Sequence, residues 1–473
     1  MNTATLIAFA LYLAGLFVIA LIAWHRTRDA TDYALGGRRL GPAVAALSAG
    51  ASDMSGWLLL GLPGAIYLSG LVESWIVVGL VIGAFANWRL VAAPLRTATA
   101  AAMDQTPGAL ADDGALTLPS WFARALGPGA APGNLLALRA TSTALILFFF
   151  TFYVASGLVA GARLFESTLG LDYLVALLIG AGVIVAYTVA GGFLAVAWTD
   201  FFQGLLMLLA LVAVPIMLFG FDMAPYPERM VLDPFADLTL LGWLSLVAWG
   251  LGYFGQPHIL ARFMAIESAA AVPRATAVGM SWMLIVGAAS IGVGVGGQAL
   301  FAAPLALPET VFIEITAVLF HPLVAGMVLA AILAAVMSTI DSQLLVAATA
   351  LAEDLYRPLR RDPPSSTELV RIGRVAVLLV AGIAVLLALD PDSRVLDLVS
   401  YAWAGLGASF GPVVLALLHW PRLTATGALA GMLTGGITVV VWGQLQGGLF
   451  DLYELLPGFL FAWIALLAFS RRG

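Results

Sequence analysis

The sequence predicts an all-α polytopic membrane protein of about thirteen transmembrane helices, and three observations predict it. Of the 473 residues, 62% are apolar and only 10% charged, and the mean hydropathy is +1.02, a balance that no soluble domain sustains. The apolar runs are long and continuous rather than alternating every second residue, which points to helices and away from a transmembrane barrel. The length then accommodates roughly a dozen to fifteen spans of about 20 residues with their loops. Soluble enzymes, secreted modules and nucleic-acid binders are set aside. The absence of cysteine excludes disulfide frameworks and thiolate chemistry.

Taken in order, the apolar runs fall at about 5–24, 42–71, 74–94, 136–164, 172–190, 194–219, 240–261, 274–301, 309–350, 373–389, 397–419, 424–444 and 454–470. The first is followed by basic residues without a small-residue cleavage site, so it reads as a retained helix. An odd number of spans puts the termini on opposite sides. With the N-terminus outside and the C-terminus cytoplasmic, 18 of the 21 arginines lie in or beside cytoplasmic loops, all but Arg163, Arg229 and Arg394. The loops 25–41, 262–274 and 351–374 carry most of that bias, and the opposite orientation breaks the positive-inside rule almost everywhere. The loop 95–135 is rich in Ala, Gly and Pro and reads as partly irregular. The loop 220–239, with Asp222, Glu228, Asp233 and Asp237 and three prolines, reads as a solvated connection.

Set aside the first run (5–24) and the last two (424–470), and ten spans divide five and five, as 42–219 and 240–419. Because five is odd, the two units lie in the membrane with opposite orientation, the inverted-repeat plan of secondary transporters. The opening span of each half is interrupted. Ser48-Ala-Gly-Ala-Ser-Asp-Met-Ser-Gly56 puts small polar residues and a carboxylate in mid-span, and Trp249-Gly-Leu-Gly-Tyr-Phe-Gly-Gln-Pro-His258 supplies three glycines and a proline. Paired interruptions of this kind point to a binding site near the bilayer midplane.

Two constellations in these spans carry chemistry. Asp53 sits about twelve residues into an apolar run, where an uncompensated carboxylate costs at least about 2.5–3.5 kcal/mol on insertion scales. It serves either a cation or the backbone amides freed by the break. In Ala334-Ala-Val-Met-Ser-Thr-Ile-Asp-Ser-Gln343, Ala335, Ser338 and Thr339 share one helix face. Two hydroxyls beside unwound carbonyls suit sodium; the alternative is that they bond back to their own helix and bend it. No metal-spaced histidine pair and no nucleophile with its base occurs on facing spans, so the sequence does not read as an enzyme.

The segments Asp32-Tyr-Ala-Leu-Gly-Gly-Arg38, Ala46-Leu-Ser-Ala-Gly-Ala-Ser-Asp-Met-Ser-Gly-Trp57 with Gly61-Leu-Pro-Gly64, Ala160-Gly-Ala-Arg-Leu-Phe-Glu166, Gly191–Asp200, Trp249–Arg262 and Met337-Ser-Thr339 resemble the sodium:solute symporter family, in particular its bacterial proline carriers. The resemblance runs from about residue 5 to the C-terminus. It implies a leucine-transporter-type five-plus-five core with one extra N-terminal and two extra C-terminal helices. It also implies a multi-pass protein of the bacterial cytoplasmic membrane that imports L-proline with sodium by alternating access. No organic cofactor, nucleic acid or obligate protein partner is expected, only lipid around the spans. The alternatives are another small solute, protons in place of sodium, or a solute-sensing membrane protein.

Position by position, the resemblance implies a sodium site from Ala51, Met54, Ala335, Ser338 and Thr339, with Asp53, Ser55 and Gly56 tied to sodium affinity and Trp57 as a neighbour. It implies a proline site from Trp249, Tyr253, Pro257 and Tyr153. Trp249 and Tyr253, four apart, would then wall an apolar pocket from one helix face. Asp200 stands where relatives place a second cation or a proton pathway. Asp341, beside Ser342, is expected either to approach the cation path, to face the cytoplasmic exit or to pair locally. His258 either titrates or makes a structural hydrogen bond, and Arg163 and Glu166 either pair or line the outer entrance.

Overall fold

The structure, a computed structural model, describes residues 3–24, 35–104, 115–127, 130–190, 192–220 and 231–470. The basic stretch at 25–34, the loop residues Asp222, Glu228 and Arg229, Gly191, and residues 471–473 lie outside the described residues. Apart from one parallel bridge between Leu40 and Ile266, the described chain is helix and connecting loop. Backbone groups in lipid have no water to bond to, and helices satisfy them internally.

Helix α1 (Thr3–Trp24) is followed by α2 (Pro42–Asp53) and α3 (Trp57–Ser69), which bend by 63° across the residues between them. Next come α4 (Leu71–Ala100), the short α5 (Leu118–Ala125), α6 (Pro132–Leu169), α7 (Tyr173–Ala190) and α8 (Phe193–Leu218). The second part holds α9 (Leu240–Gly255), α10 (Pro257–Ala265), α11 (Val272–Leu300), α12 (Val311–Leu319) and α13 (Pro322–Leu359). Helices α14 (Ser366–Leu387), α15 (Val395–His419), α16 (Ala425–Trp442) and α17 (Leu455–Phe469) complete it. Among the described residues, eight helices are long and apolar enough to cross a membrane, or nine if the bent pair α2/α3 counts as one span. The shorter apolar helices are α9, α17 and the stretches Thr3–Ile19 of α1 and Tyr173–Thr188 of α7. The chain is a multi-pass membrane protein.

The run 309–350 is not one helix. His321 takes an extended conformation (ψ 141°) ahead of Pro322, as the residue before a proline prefers, and α12 ends there while α13 begins. Helix α13 is the most enclosed span, 83% buried over its most apolar stretch against 33% for α14. It packs on α1, α6 and α8, while α2 packs on α8 and α11.

Both interruptions are present, with different local causes. Met54 leaves helical geometry (φ −81°, ψ 75°) and Ser55 closes a tight turn on the Asp53 carbonyl at 3.0 Å. Gly56 lets α6 pass close by, since a Cβ there would come within 2.5 Å of the Ala160 Cβ. In the second interruption, Trp249–Gly255 winds as a 3₁₀ helix, Gln256 is extended (ψ 106°) and Pro257 opens α10. Gly83 of α4 meets Gly250 there, where a Cβ would fall 2.1 Å from the Gly250 carbonyl oxygen. Only glycine at that crossing allows backbone-to-backbone contact. At their far ends the two broken spans touch: Leu40 N–H donates to the Ala265 carbonyl (3.1 Å), and Glu267 N–H to the Leu40 carbonyl (2.9 Å).

Candidate functional site

Where α2 ends, its last carbonyls need donors from elsewhere, and α13 supplies them. The Ser338 hydroxyl donates to the Ala51 carbonyl at 2.8 Å and lies 3.1 Å from the Ala335 carbonyl, while the Thr339 hydroxyl reaches the Ala51 carbonyl at 3.3 Å. All four residues are buried. The shared helix face read from the sequence thus gathers two hydroxyl and two carbonyl oxygens at the end of the broken span. Met54 ends α2 beside them, and the Ser55 hydroxyl accepts from the Trp57 amide at 3.4 Å. Hard neutral oxygens in this number fit a monovalent cation: the hydroxyl protons can turn away and present lone pairs.

Asp53 is 2% exposed. Its backbone carbonyl accepts from the Ser55 amide (3.0 Å), the Trp57 indole (3.1 Å) and the Tyr153 hydroxyl (3.0 Å). Its carboxylate accepts from the Tyr253 hydroxyl through Oδ2, and Oδ1 has no donor among the described residues. The structure therefore brings Tyr153 and Tyr253, two of the four residues expected for the solute, onto the residue expected for the cation.

Trp249 and Tyr253 do not share a face. The segment carrying them is 3₁₀, with three residues per turn, so positions four apart point about 120° away from each other. Trp249 stacks on Tyr453 (5.5 Å, 23°) and leans on Trp57 (6.2 Å), while Tyr253 meets the edge of Trp403 (5.0 Å, 88°). The Trp403 indole ties the segment to α15 by donating to the Trp249 carbonyl at 2.8 Å. Pro257 lines a cavity with Thr117, Leu118, Phe193 and Met264.

Asp200 lies in a fully buried network. Its Oδ2 accepts from Arg262 Nη2 (3.0 Å), Ser48 (2.7 Å) and Ser342 (3.4 Å); Arg262 also donates to Ser48 (3.1 Å), to Ser342 and to the His258 carbonyl (2.9 Å). This joins α2, α8, α10 and α13. Arg262, which the sequence reads as a charge of the loop 262–274, is 0% exposed and lies over the Phe193 ring. The signal was present: Ile259-Leu-Ala-Arg-Phe-Met-Ala-Ile266 continues the apolar run past it. Asp341 accepts through Oδ1 from the hydroxyl of Thr188 on α7. Arg163 and Glu166 form the i, i+3 pair at 3.0 Å. Neither ring nitrogen of His258 has a partner among the described residues; the ring lies against Phe150 (5.5 Å) and Tyr153 (5.9 Å). Outside the spans, Glu309 accepts from the Val395 and Leu396 amides at the start of α15 (3.2 and 3.3 Å). Burial pushes its carboxyl above the usual range and those amides oppose the push.

Known proteins share this chain's sequence and shape. The model of the sodium:solute symporter family matches residues 33–435. The sodium/proline symporter of Salmonella typhimurium is 49% identical over 100% of this chain and 94% of its own length. The high-affinity proline transporter of Bacillus subtilis is 50% identical over 94% of this chain and 93% of its own. Among solved structures, an outward-open, substrate-bound Na⁺-coupled sialic acid symporter superposes with a TM-score of 0.78 at 17% identity, covering 99% of this chain and 97% of that one. A nucleobase-cation-symport-1 transporter superposes at 0.54 with 15% identity, covering 94% and 96%. Both have the leucine-transporter fold, and this chain has it too. It is a carrier rather than an enzyme. With nearly its whole length matched by the family model and by relatives of about half identical sequence, the chain belongs to the sodium:solute symporter family.

Proposed function

We propose that this chain imports L-proline together with sodium by alternating access across a bacterial inner membrane, with its N-terminus outside and its C-terminus in the cytoplasm. The observation that carries this reading is the convergence of the Ser338 and Thr339 hydroxyls on the Ala51 carbonyl. A cation among those oxygens would bind α2 to α13 and hold the broken span in one position. Relatives whose names specify sodium and proline support the choice of ion and solute, and the distribution of arginines supports the orientation.

In this reading the segments 42–219 and 240–419 are the two inverted halves, flanked by 5–24 and 424–470. Sodium is held by Ala51, Met54, Ala335, Ser338 and Thr339, with Asp53, Ser55 and Gly56 shaping the break. Proline lies against Tyr153, Trp249 and Tyr253, and Pro257 borders its route toward the cavity lined by Thr117, Leu118, Phe193 and Met264. Sodium entry preorganises the broken spans, proline binds, and the outer side closes. Release inward requires the Asp200–Arg262 network to part, because it ties both broken spans to α8 and α13 on the side of the arginine-rich loops. Asp341, three residues beyond Ser338 on α13, offers a second carboxylate along the same path. The inside-negative potential contributes about 2.3 kcal/mol per 100 mV for each charge carried.

Labelled L-proline uptake into proteoliposomes of the purified protein, under an imposed sodium or an imposed proton gradient at matched potential, tests the proposal. Accumulation with sodium alone is expected. Accumulation with protons alone would overturn the cation site, and no accumulation under either would overturn proline as the solute.

A further inference from the structure

A cavity between α2, α4, α10 and α11 is lined by Asp53, Asn87, Trp88, Tyr253, Phe263 and Trp282 among others. Two of its wall residues hold buried acceptors that receive no hydrogen bond among the described residues: Asp53 Oδ1 and Asn87 Oδ1. The orientation of Asn87 follows from chemistry. Its Nδ2 lies 3.0 Å from the Tyr253 carbonyl oxygen, which can only accept, so the amide nitrogen faces that oxygen and the amide oxygen is left over.

Tyr253 needs that donor. In a continuing α-helix its carbonyl would take the amide N–H of residue 257, which is a proline and has none. Asn87 replaces the missing donor from α4, at a crossing brought close by Gly83 and Gly250. Tyr253 is thus held at two points, its carbonyl by Asn87 and its hydroxyl on Asp53. The Trp282 indole does not relieve the free oxygens, since it donates to the Gly204 carbonyl at 2.9 Å.

We propose that Asn87 Oδ1 joins Asp53 Oδ1 in receiving a positively charged group, the coupling cation or the secondary ammonium of the solute. One carboxylate oxygen and one amide oxygen that receive no hydrogen bond among the described residues favour a cation or an ammonium and repel an anion, and a buried acceptor without a partner is costly. The inference rests on the sodium and proline reading above. It also assigns Asn87 a coupling role: positive charge at its oxygen strengthens the hydrogen bond that its nitrogen gives to Tyr253, so occupancy of the cavity tightens α4 on the second broken span.

Proteoliposome uptake by Asn87→Leu and Asn87→Asp tests this, with the half-saturating sodium concentration and the KM for L-proline read separately. Leucine removes donor and acceptor; aspartate removes the donor and keeps an acceptor, with added charge. The expected result is at least a tenfold rise of one constant in Asn87→Leu and the same constant at or below the wild-type value in Asn87→Asp. A rise in the sodium constant identifies the cation as the occupant, and a rise in the proline KM identifies the ammonium. Equal losses in both variants, as a purely structural donor to Tyr253 would give, overturn the inference; so do unchanged constants in Asn87→Leu. If Asn87→Leu does not fold, Asn87→Asp decides alone, since a tenfold rise in both its constants overturns the proposal and a value at or below wild type supports it. Asp53→Asn, measured alongside, separates the layers. If it raises the sodium constant while Asn87→Leu changes nothing, only the role of Asn87 falls; if Asp53→Asn changes nothing, the cation reading beneath it falls.

Discussion

The hydroxyl of Tyr253 donates to the carboxylate of Asp53 across a separation of 200 residues, linking the two interrupted spans at the points where each leaves the α-helix. A hydrogen bond to a charged group contributes about 1.5–3 kcal/mol. Tyr253→Phe removes it and leaves both Asp53 oxygens without a donor. The sodium-free protein should melt at lower temperature, and the stabilisation by added sodium should grow, because the cation meets a less satisfied carboxylate. Thermal unfolding with and without sodium reads both; a smaller sodium effect in the variant would separate Asp53 from the cation.

Ser338 and Thr339 each contribute one hydroxyl to the end of α2. Ser338→Ala and Thr339→Val should each raise the sodium concentration for half-maximal uptake about five- to fifty-fold, equivalent to roughly 1–2.3 kcal/mol. Thr339→Ser, which keeps the oxygen, should restore most of the loss. Equal effects of Val and Ser at position 339 would mean that the methyl group, not the hydroxyl, matters there.

Trp249 presents its ring between Trp57 and Tyr453, and the Asp53 carboxylate takes its hydrogen bond from Tyr253 instead. Trp249→Ala should therefore weaken proline affinity more than sodium affinity in uptake and equilibrium binding. The reverse order would move the solute to the Asp53 side of the segment.

The Asp200–Arg262 pair is 0% exposed on both sides. Removing one partner strands a buried charge, at a cost of about 3–5 kcal/mol. Asp200→Asn and Arg262→Met alone should each lower the melting temperature sharply. The double variant should recover part of the loss and should release proline inward with weaker dependence on sodium, since the tie between the broken spans and α8 is gone. A double variant as unstable as the sum of the singles would show that the two side chains act independently.

Several of these relationships were legible before the fold. Asp53 stands out because a carboxylate in an apolar run demands compensation, and both interruptions are visible in glycine, serine and proline spacing. The face shared by Ala335, Ser338 and Thr339 is correct because that stretch is a regular α-helix, in which positions three and four apart coincide. The same rule misleads at Trp249 and Tyr253, where three residues per turn replace 3.6. Arg262 was hidden for a different reason: its counter-ion lies 62 residues away, and its charge counted alone reads as a loop residue. The break at Pro322 was written in the sequence and masked by the apolar residues on either side.

By itself the sequence determined what depends on neighbours along the chain: the membrane as solvent, the helical state of the spans, the positions of the two interruptions and the chemical character of the residues at them. These follow from local composition and from what each backbone amide and carbonyl requires in lipid. Tertiary structure alone decided the partners. Ser338 meets Ala51, Tyr253 meets Asp53, Asn87 meets Tyr253 and Arg262 meets Asp200 because glycine crossings and a 3₁₀ turn set how closely the helices approach and how far each is rotated. A hydrogen bond forms only within a few tenths of an ångström of its ideal length, and that distance is a property of packing, which no single segment contains.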